Sequence, residues 1–158
     1  VFGEVDSAEL YQKMRRFFDE DEWFFEEDIE NNALVSRFRG ENGVWACLAR
    51  VQGPLVVFYS LLEVHVPEER RDAMAEFITR ANYGLPFGAF EMDYSDGEVR
   101  LRTGFFTADI DFTTTHMRNI VYANLLTMDR YLPGIMRVIY GREDPKAVVE
   151  EIEREQGD

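Results

Sequence analysis

Only one cysteine, Cys47, and two histidines, His65 and His116, occur in the 158 residues. A single thiol closes no intrachain disulfide, so nothing in the chain asks for an oxidising compartment. Cys47 sits in the apolar run Val44-Trp45-Ala46-Cys47-Leu48 with no basic neighbour to lower its pKa, and reads as a core residue. Neither histidine has a carboxylate or a second imidazole at ligand spacing, which argues against a histidine metal site. No Gly-rich loop followed by Lys is there to cradle phosphate, and Ser36 and Ser60 lack the glycine-flanked turn of a nucleophilic serine. Long apolar runs are missing too. The longest, Leu55 to Leu62, is far too short to span a bilayer, and no basic flank precedes an apolar segment at the N-terminus. The expected compartment is the cytoplasm, and no cofactor is expected.

Positive charge is the other scarcity: 17 basic residues stand against 31 acidic ones, a net charge of -14. Such a chain repels phosphate backbones and anionic lipids, which excludes nucleic acid and membrane as general partners. The acidity belongs to the two ends, with -8 over residues 1–31, -5 over residues 143–158 and -1 between them. These runs read as solvated faces; if they bind anything, the partner is basic. From Asp19 to Glu30 the acidic stretch mimics the first, third and last ligands of an EF-hand loop. Trp23 and Phe24 fall where that loop needs an oxygen ligand and a glycine, so the match fails.

What is present is a core. With 46% hydrophobic and 14% aromatic residues, a chain of this length is expected to fold as one domain over residues 1–158. The expected core covers about residues 7–141, with an acidic tail helix over 144–156 behind Asp144-Pro145. Leu10, Met14, Phe17 and Phe18 recur at helical spacing after Ser7, a candidate cap. Trp23–Phe25 reads as a short strand. Ala33–Arg39 and Val44–Val51 meet across Asn42-Gly43, a dipeptide suited to positive φ in a tight hairpin, and Gln52-Gly53-Pro54 turns the chain into Leu55–Val64. Pro67 opens a second helix that buries Met74, Phe77, Ile78 and Ala81 and stops at Gly84. Phe87–Tyr94 and Val99–Phe106 flank Asp96-Gly97. A two-residue loop there sets Asp93 opposite Arg100, Glu91 opposite Arg102, Met92 opposite Leu101 and Tyr94 opposite Val99. Glu91 and Asp93 then read as rungs of a salt ladder, since facing arginines keep both ionised. The pattern is α+β: an antiparallel sheet of about five strands with helices on one face, in the order α-β-β-β-α-β-β-α.

The last large element runs from Thr113-Thr114-Thr115 to Tyr140-Gly141, with Pro133 expected to kink or divide it. Met117, Val121, Asn124, Met128, Tyr131 and Ile135 follow a three-four spacing, and Ile120, Leu125, Leu132, Met136 and Ile139 widen the stripe. A methionine-bearing face this wide serves the sheet and also a second subunit or client, because Met adapts to irregular surfaces. These six residues are the candidate dimer or protein-binding positions, and the equally weighted reading is intramolecular core. No catalytic residue is assigned. The one acid–base cluster to weigh is Asp109, Asp111 and His116, with both carboxylates on one face if the segment is extended. Asp and Thr are also what a strand-to-helix connection uses for turns and caps.

Trp23 after an acidic turn, Gly43 in a hairpin, Val66-Pro67 with Arg70, Asn82, Gly88, Phe90-Glu91-Met92-Asp93 and Gly97 before Arg100 together resemble the YbjN family of bacterial proteins, also called bacterial sensory transduction regulators. The likeness covers roughly residues 7–141; the acidic N-terminal run and the charged tail depart from it. It implies a fold similar to type III secretion chaperones, which are small acidic dimers that bind extended segments of other proteins and carry no catalytic residues. The expected function is thus a nonenzymatic protein-binding module, chaperone-like or regulatory, acting as a homodimer on a protein or peptide segment. The alternatives are a small metal-dependent enzyme or regulator built on Asp109, Asp111 and His116, or a structural subunit of a larger complex.

Overall fold

The computed structural model describes residues 5–156. Glu4 and Asp158, counted in the acidic ends, lie outside the described residues. Helix α1 (Ser7–Glu20) is followed by strands β1 (Phe25–Asp28), β2 (Ala33–Arg39), β3 (Val44–Gln52) and β4 (Leu55–Leu61). A single 3₁₀ turn over Glu68–Arg70 leads into α2 (Arg71–Gly84), then β5 (Ala89–Met92), β6 (Val99–Phe106), α3 (Thr114–Ile139) and α4 (Pro145–Arg154). The sheet has six strands in the order β1-β2-β3-β4-β6-β5, every neighbour antiparallel. The fold class is α+β, as the hydrophobic periods require. The strand count is one above expectation, because the segment after Trp23 pairs from Phe25 to Asp28 with β2.

The helices lie against one face of the sheet. On β3 the buried residues Trp45, Cys47, Ala49 and Val51 alternate with more exposed ones, the period-2 signature of a half-covered strand. Their neighbours on that face are Leu34, Phe38, Val56, Phe58, Ser60, Leu101 and Thr103. Against it pack Met14, Phe17 and Phe18 of α1 and Met117, Val121, Met128 and Tyr131 of α3. The cap of α1 lies one residue before the expected one: Asp6, not Ser7, accepts the backbone N–H groups of Ala8 and Glu9.

Three local expectations are corrected. Between β5 and β6 the hydrogen-bonded pair Asp93 and Glu98 closes a loop of four residues, 94–97, not two. Asp93 N–H donates to Glu98 O and Gly97 N–H to Asp93 O, while the Asp93 carboxylate accepts both Ser95 N–H and Ser95 Oγ–H. The register therefore moves by two residues: Phe90 faces Leu101, Glu91 faces Arg100 and Met92 faces Val99. A shift of two keeps every side chain on its face, so Glu91 still bridges Arg100 and Arg102, and Asp93 becomes a turn cap.

Asn42-Gly43 does not supply positive φ. Gly40 N–H closes on Gly43 O around Glu41-Asn42, and Gly43 packs closely under Leu132, whose side-chain end would have to shift for a Cβ lying 2.6 Å from it. Finally, Pro133 does not divide α3, which runs unbroken over 26 residues. Proline removes the N–H that would reach the carbonyl of Asp129, four residues earlier. That carbonyl accepts the Asn42 side-chain amide at 2.9 Å instead, and the Asp129 carboxylate accepts the N–H groups of Glu41 and Asn42. The β2–β3 hairpin tip is clipped onto the helix where the helix lacks its own donor.

The tail helix belongs to the core. Pro145, Val148, Val149 and Ile152 of α4 are buried, and Gly134 lets them approach α3, since a Cβ there would meet Ile152 at 2.6 Å and Val148 at 3.0 Å. The expected core end at residue 141 is thus too early. No helix among the described residues is long and apolar enough to cross a membrane.

Candidate protein-binding surface

The six α3 positions singled out by their spacing do not form a surface. Met117, Val121, Asn124, Met128, Tyr131 and Ile135 are all buried within the chain, none more than 2% exposed. The stripe is wide because the sheet takes one side of it and α1, α2 and α4 take the rest. Asn124 is the hub of a buried polar network. Its Oδ1 accepts from Ser60 Oγ at 2.6 Å, and Ser60 Oγ accepts from Trp45 Nε1. Its Nδ2 donates to the carbonyls of Phe58 and Leu101, both at 3.0 Å. Asn124 thereby pins α3 to adjacent strands β4 and β6.

The acid–base cluster does not assemble either. Asp109 sits at φ 58° in a turn and not in an extended strand. Asp111 pairs with Lys13 at 3.4 Å. His116 is used structurally: its Nδ1 accepts the Thr113 N–H at 3.0 Å in a capping box at the start of α3, and its ring lies against Phe105 and Phe112. Asp109 and Asp111 line an open groove of about 410 Å³ to which His116 does not contribute. Among the described residues no cluster of three or more His, Cys, Asp or Glu side chains is arranged to hold a metal ion. In the EF-hand-like run, Asp21 accepts from Trp23 Nε1 at 2.9 Å and Tyr122 OH at 2.5 Å. Burial, then the hydrogen bond to that carboxylate, pushes the Tyr122 hydroxyl up to about 12.

What remains open is the helix-free face of the sheet. Cross-strand pairing sets out its rows: Arg37, Ala46, Leu61 and Arg100, then Val35, Leu48, Tyr59 and Arg102, then Ala33, Arg50, Val57 and Gly104, with Leu55 beside Phe106 below. None of these belongs to the main core cluster. The outward positions of β2, β3, β4 and β6 hold five arginines, Arg39 included, on a chain of net charge -14, and the acids of this face stand on the outer strands, Glu26 and Asp28 on β1 and Glu91 on β5. An apolar band along β3 and β4 thus runs between two basic columns.

Arginine stems cover part of this band. The Arg100 guanidinium lies 4.5 Å from the Tyr59 ring centroid. Ala33 and Val57, the cross-strand neighbours of Arg50, are buried although no helix covers them, the pattern of long side chains lying along an apolar surface with their charges outward. Val35 is 44% and Phe106 57% exposed. Beside them Gly104 leaves a recess of about 280 Å³ walled by Leu55, Val57, Phe106 and Arg102. Among the described residues Arg39 and Arg50 make no ion pair, and Arg50 Nε is buried without a hydrogen-bond partner.

The sheet edges offer less. The outward N–H and C=O of Phe90 on β5 are both taken by the Asn82 carboxamide, at 2.8 and 2.9 Å. Asn82 therefore occupies the place of a further strand and blocks strand addition there. At the other edge, β1 is four residues long and carries Glu26, Glu27 and Asp28, two devices that discourage edge pairing. The sequence signal for the open face was available in part, since Arg100 and Arg102 share a parity with each other, as do Arg37 and Arg39. Only the register across four strands joins them into one surface.

Comparison with known proteins bears on the fold and the family. Comparison with curated proteins finds no match. The crystal structure of YbjN, "a putative transcription regulator from E. coli", is similar at 12% identity and a TM-score of 0.59, over 99% of this chain and 97% of that one. A chain in the structure of the HopA1–SchA chaperone–effector complex is similar at 15% identity and a TM-score of 0.50, over 80% of this chain and 95% of that one. Both likenesses concern the fold. Residues 11–136 match the family described as "YbjN: Putative bacterial sensory transduction regulator", and with most of its length so matched, this chain belongs to the YbjN family.

Proposed function

We propose that this chain is a nonenzymatic protein-binding module, regulatory or chaperone-like, that works in the cytoplasm as a homodimer and meets its partner on the helix-free face of the sheet. One observation carries the reading: among the described residues no helix covers this face of the sheet, where Val35 is exposed and arginine side chains lie over apolar residues of β3 and β4 on a strongly acidic molecule, while the other face of the same sheet is covered by helices. Uncovered apolar surface rimmed by charge is the composition of a contact surface. The likeness to a chain of a chaperone–effector complex and the family's description as a regulator both fit a protein partner.

Affinity capture from native extract tests it with three baits: the unmodified chain, the face variant Arg39→Glu/Arg102→Glu, and a control Arg118→Glu/Arg142→Glu on exposed arginines elsewhere. A defined protein retained by the first and third and lost by the second supports the reading. Identical retention by all three removes the sheet face from it.

The homodimer is favoured by a different part of α3 from the stripe discussed above. Leu126 is 69% exposed, and Pro133 and Tyr140 follow it at seven-residue intervals, which aligns the three along one line of the helix. Light scattering at micromolar concentration is expected to give a dimer that Leu126→Glu converts to monomer. A monomer in the unmodified chain ends that part of the proposal.

A further inference from the structure

The sheet face has the dimensions of a particular occupant. Three strand spacings separate β2 from β6, so the columns Arg37–Arg39 and Arg100–Arg102 flank a band about 14 Å wide. An α-helix with its side chains measures about 10–12 Å across. Along the strands, β3 extends over nine residues, about 27 Å, the length of an 18-residue helix. Between the columns lie Leu48 and Leu61 with the buried Tyr59 and Val57, Val35 is exposed at the end of the β2 column, and the Gly104 recess is large enough for one side chain of an occupant. The other face of the sheet already takes helices through the same kind of apolar contact.

We infer that the helix-free face binds an acidic amphipathic helix of another protein, its apolar stripe lying along β3 and β4 and its flanking carboxylates meeting the arginine columns. This deepens the protein-binding reading above and rests on it. Charge decides the class. A basic helix would meet the unpaired guanidinium groups of Arg39 and Arg50 and find the nearest carboxylates, Glu63 and Glu91, already holding Arg37, Arg100 and Arg102. A second copy of the face is excluded on the same ground, and strand addition is opposed at β5 by Asn82. Arg39 and Arg50, which make no ion pair among the described residues, are the guanidinium groups with full capacity for a partner's carboxylates. Arg37, Arg100 and Arg102 exchange partners with Glu63 and Glu91 when the helix docks. Arg50 stands within the apolar band between Ala33 and Val57, so its pairing is the most shielded from solvent.

Three fluorescent 18-residue peptides test the inference on the full chain: one with leucines at three-four spacing and glutamates flanking them, one with lysines in place of the glutamates, and a scramble of the first that keeps its composition. Anisotropy titration is expected to show binding of the first alone, weakening as salt is raised. The affinity should fall about tenfold in Arg39→Glu/Arg102→Glu and stay unchanged in Arg118→Glu/Arg142→Glu. A second variant, Leu48→Asp, is expected to abolish binding. Circular dichroism of each variant confirms folding. Equal binding of the scramble, preference for the lysine peptide, no binding of any peptide, or affinity indifferent to both face variants overturns the inference. If extract capture still depends on the face while all three peptides fail, the protein-binding reading stands and the helical acidic ligand falls.

Discussion

At the residue scale, positions on which the family resemblance was read turn out to hold the fold. Arg70 donates to the carbonyls of Val138 and Glu143, capping the end of α3. Asn82 closes the β5 edge. Gly88 and Gly97 adopt φ 83° and 80°, and a Cβ on Gly97 would lie 2.1 Å from the Val66 carbonyl. Trp23 stacks on Phe38 and donates to Asp21. Function was hard to see in the sequence because its most distinctive residues are spent on geometry. Two predictions belong here. Burial pushes the Cys47 thiol up to about 12, so Ellman's reagent at pH 8 is expected to leave it unmodified in the native chain and to titrate it fully in denaturant. Asn124→Leu strips the hydrogen bonds that Ser60 and two strand carbonyls share with it, and is expected to cost about 2–4 kcal/mol in urea unfolding. A silent Asn124→Leu would show that the buried network adds nothing to stability.

At the element scale, periodicity located nearly every helix and strand, and what it missed was set by contacts between elements. The Asp96-Gly97 hairpin was legible, but its loop length depended on whether Asp93 would pair across the strand or cap Ser95, a competition invisible to strand patterns. Asn42 and Pro133 lie 91 positions apart, and only packing brings them together. Their connection predicts a coupled pair. Asn42→Ala is expected to cost about 1 kcal/mol by leaving the Asp129 carbonyl unpaired. In a Pro133→Ala background that carbonyl regains a helical donor, and the same substitution should cost less than half as much, as read by a double-mutant cycle. Additive effects would show that the proline and the hairpin amide are unrelated.

The α3–α4 junction carries a pH prediction. Arg137 donates to Glu143 and Glu151 at 2.8–2.9 Å, and these hydrogen bonds, ahead of any longer-range attraction, hold both carboxyl groups below their usual range. A carboxyl whose folded-state pKa is depressed stabilises the fold above its unfolded value, here 4.5, and loses that contribution as pH falls through the folded value. Amide NMR shifts of Val148 and Ile152 are therefore expected to hold steady from pH 7 to about 5 and to move toward unfolded positions below 4.5. In Arg137→Met the low-pH transition should shift upward. An unchanged transition would place the anchoring of α4 in its apolar contacts alone.

For the whole molecule the question is where the domain ends. The family match stops at residue 136, inside α3, and the hydrophobic pattern put the core's end at residue 141. The packing runs further. Val148 and Ile152 close over Gly134, Val149 is buried beside them, Arg130 donates to the Ile152 carbonyl, and Arg70 reaches the Glu143 carbonyl across the same junction. Burying each of three such aliphatic side chains is worth about 1.5–3 kcal/mol, and a domain of this kind has only about 5–15 kcal/mol of net stability. Removing residues 142–158 is thus expected to consume most of that margin. The truncated chain should bind ANS, lose its cooperative thermal transition and keep much of its far-UV helix signal, because α1, α2 and α3 retain their own apolar faces. A sharp melt within a few degrees of the intact chain would make α4 an appendage, and the short acidic tail, which resembles solvated charge in sequence, would then have no part in holding the sheet and its open face in shape.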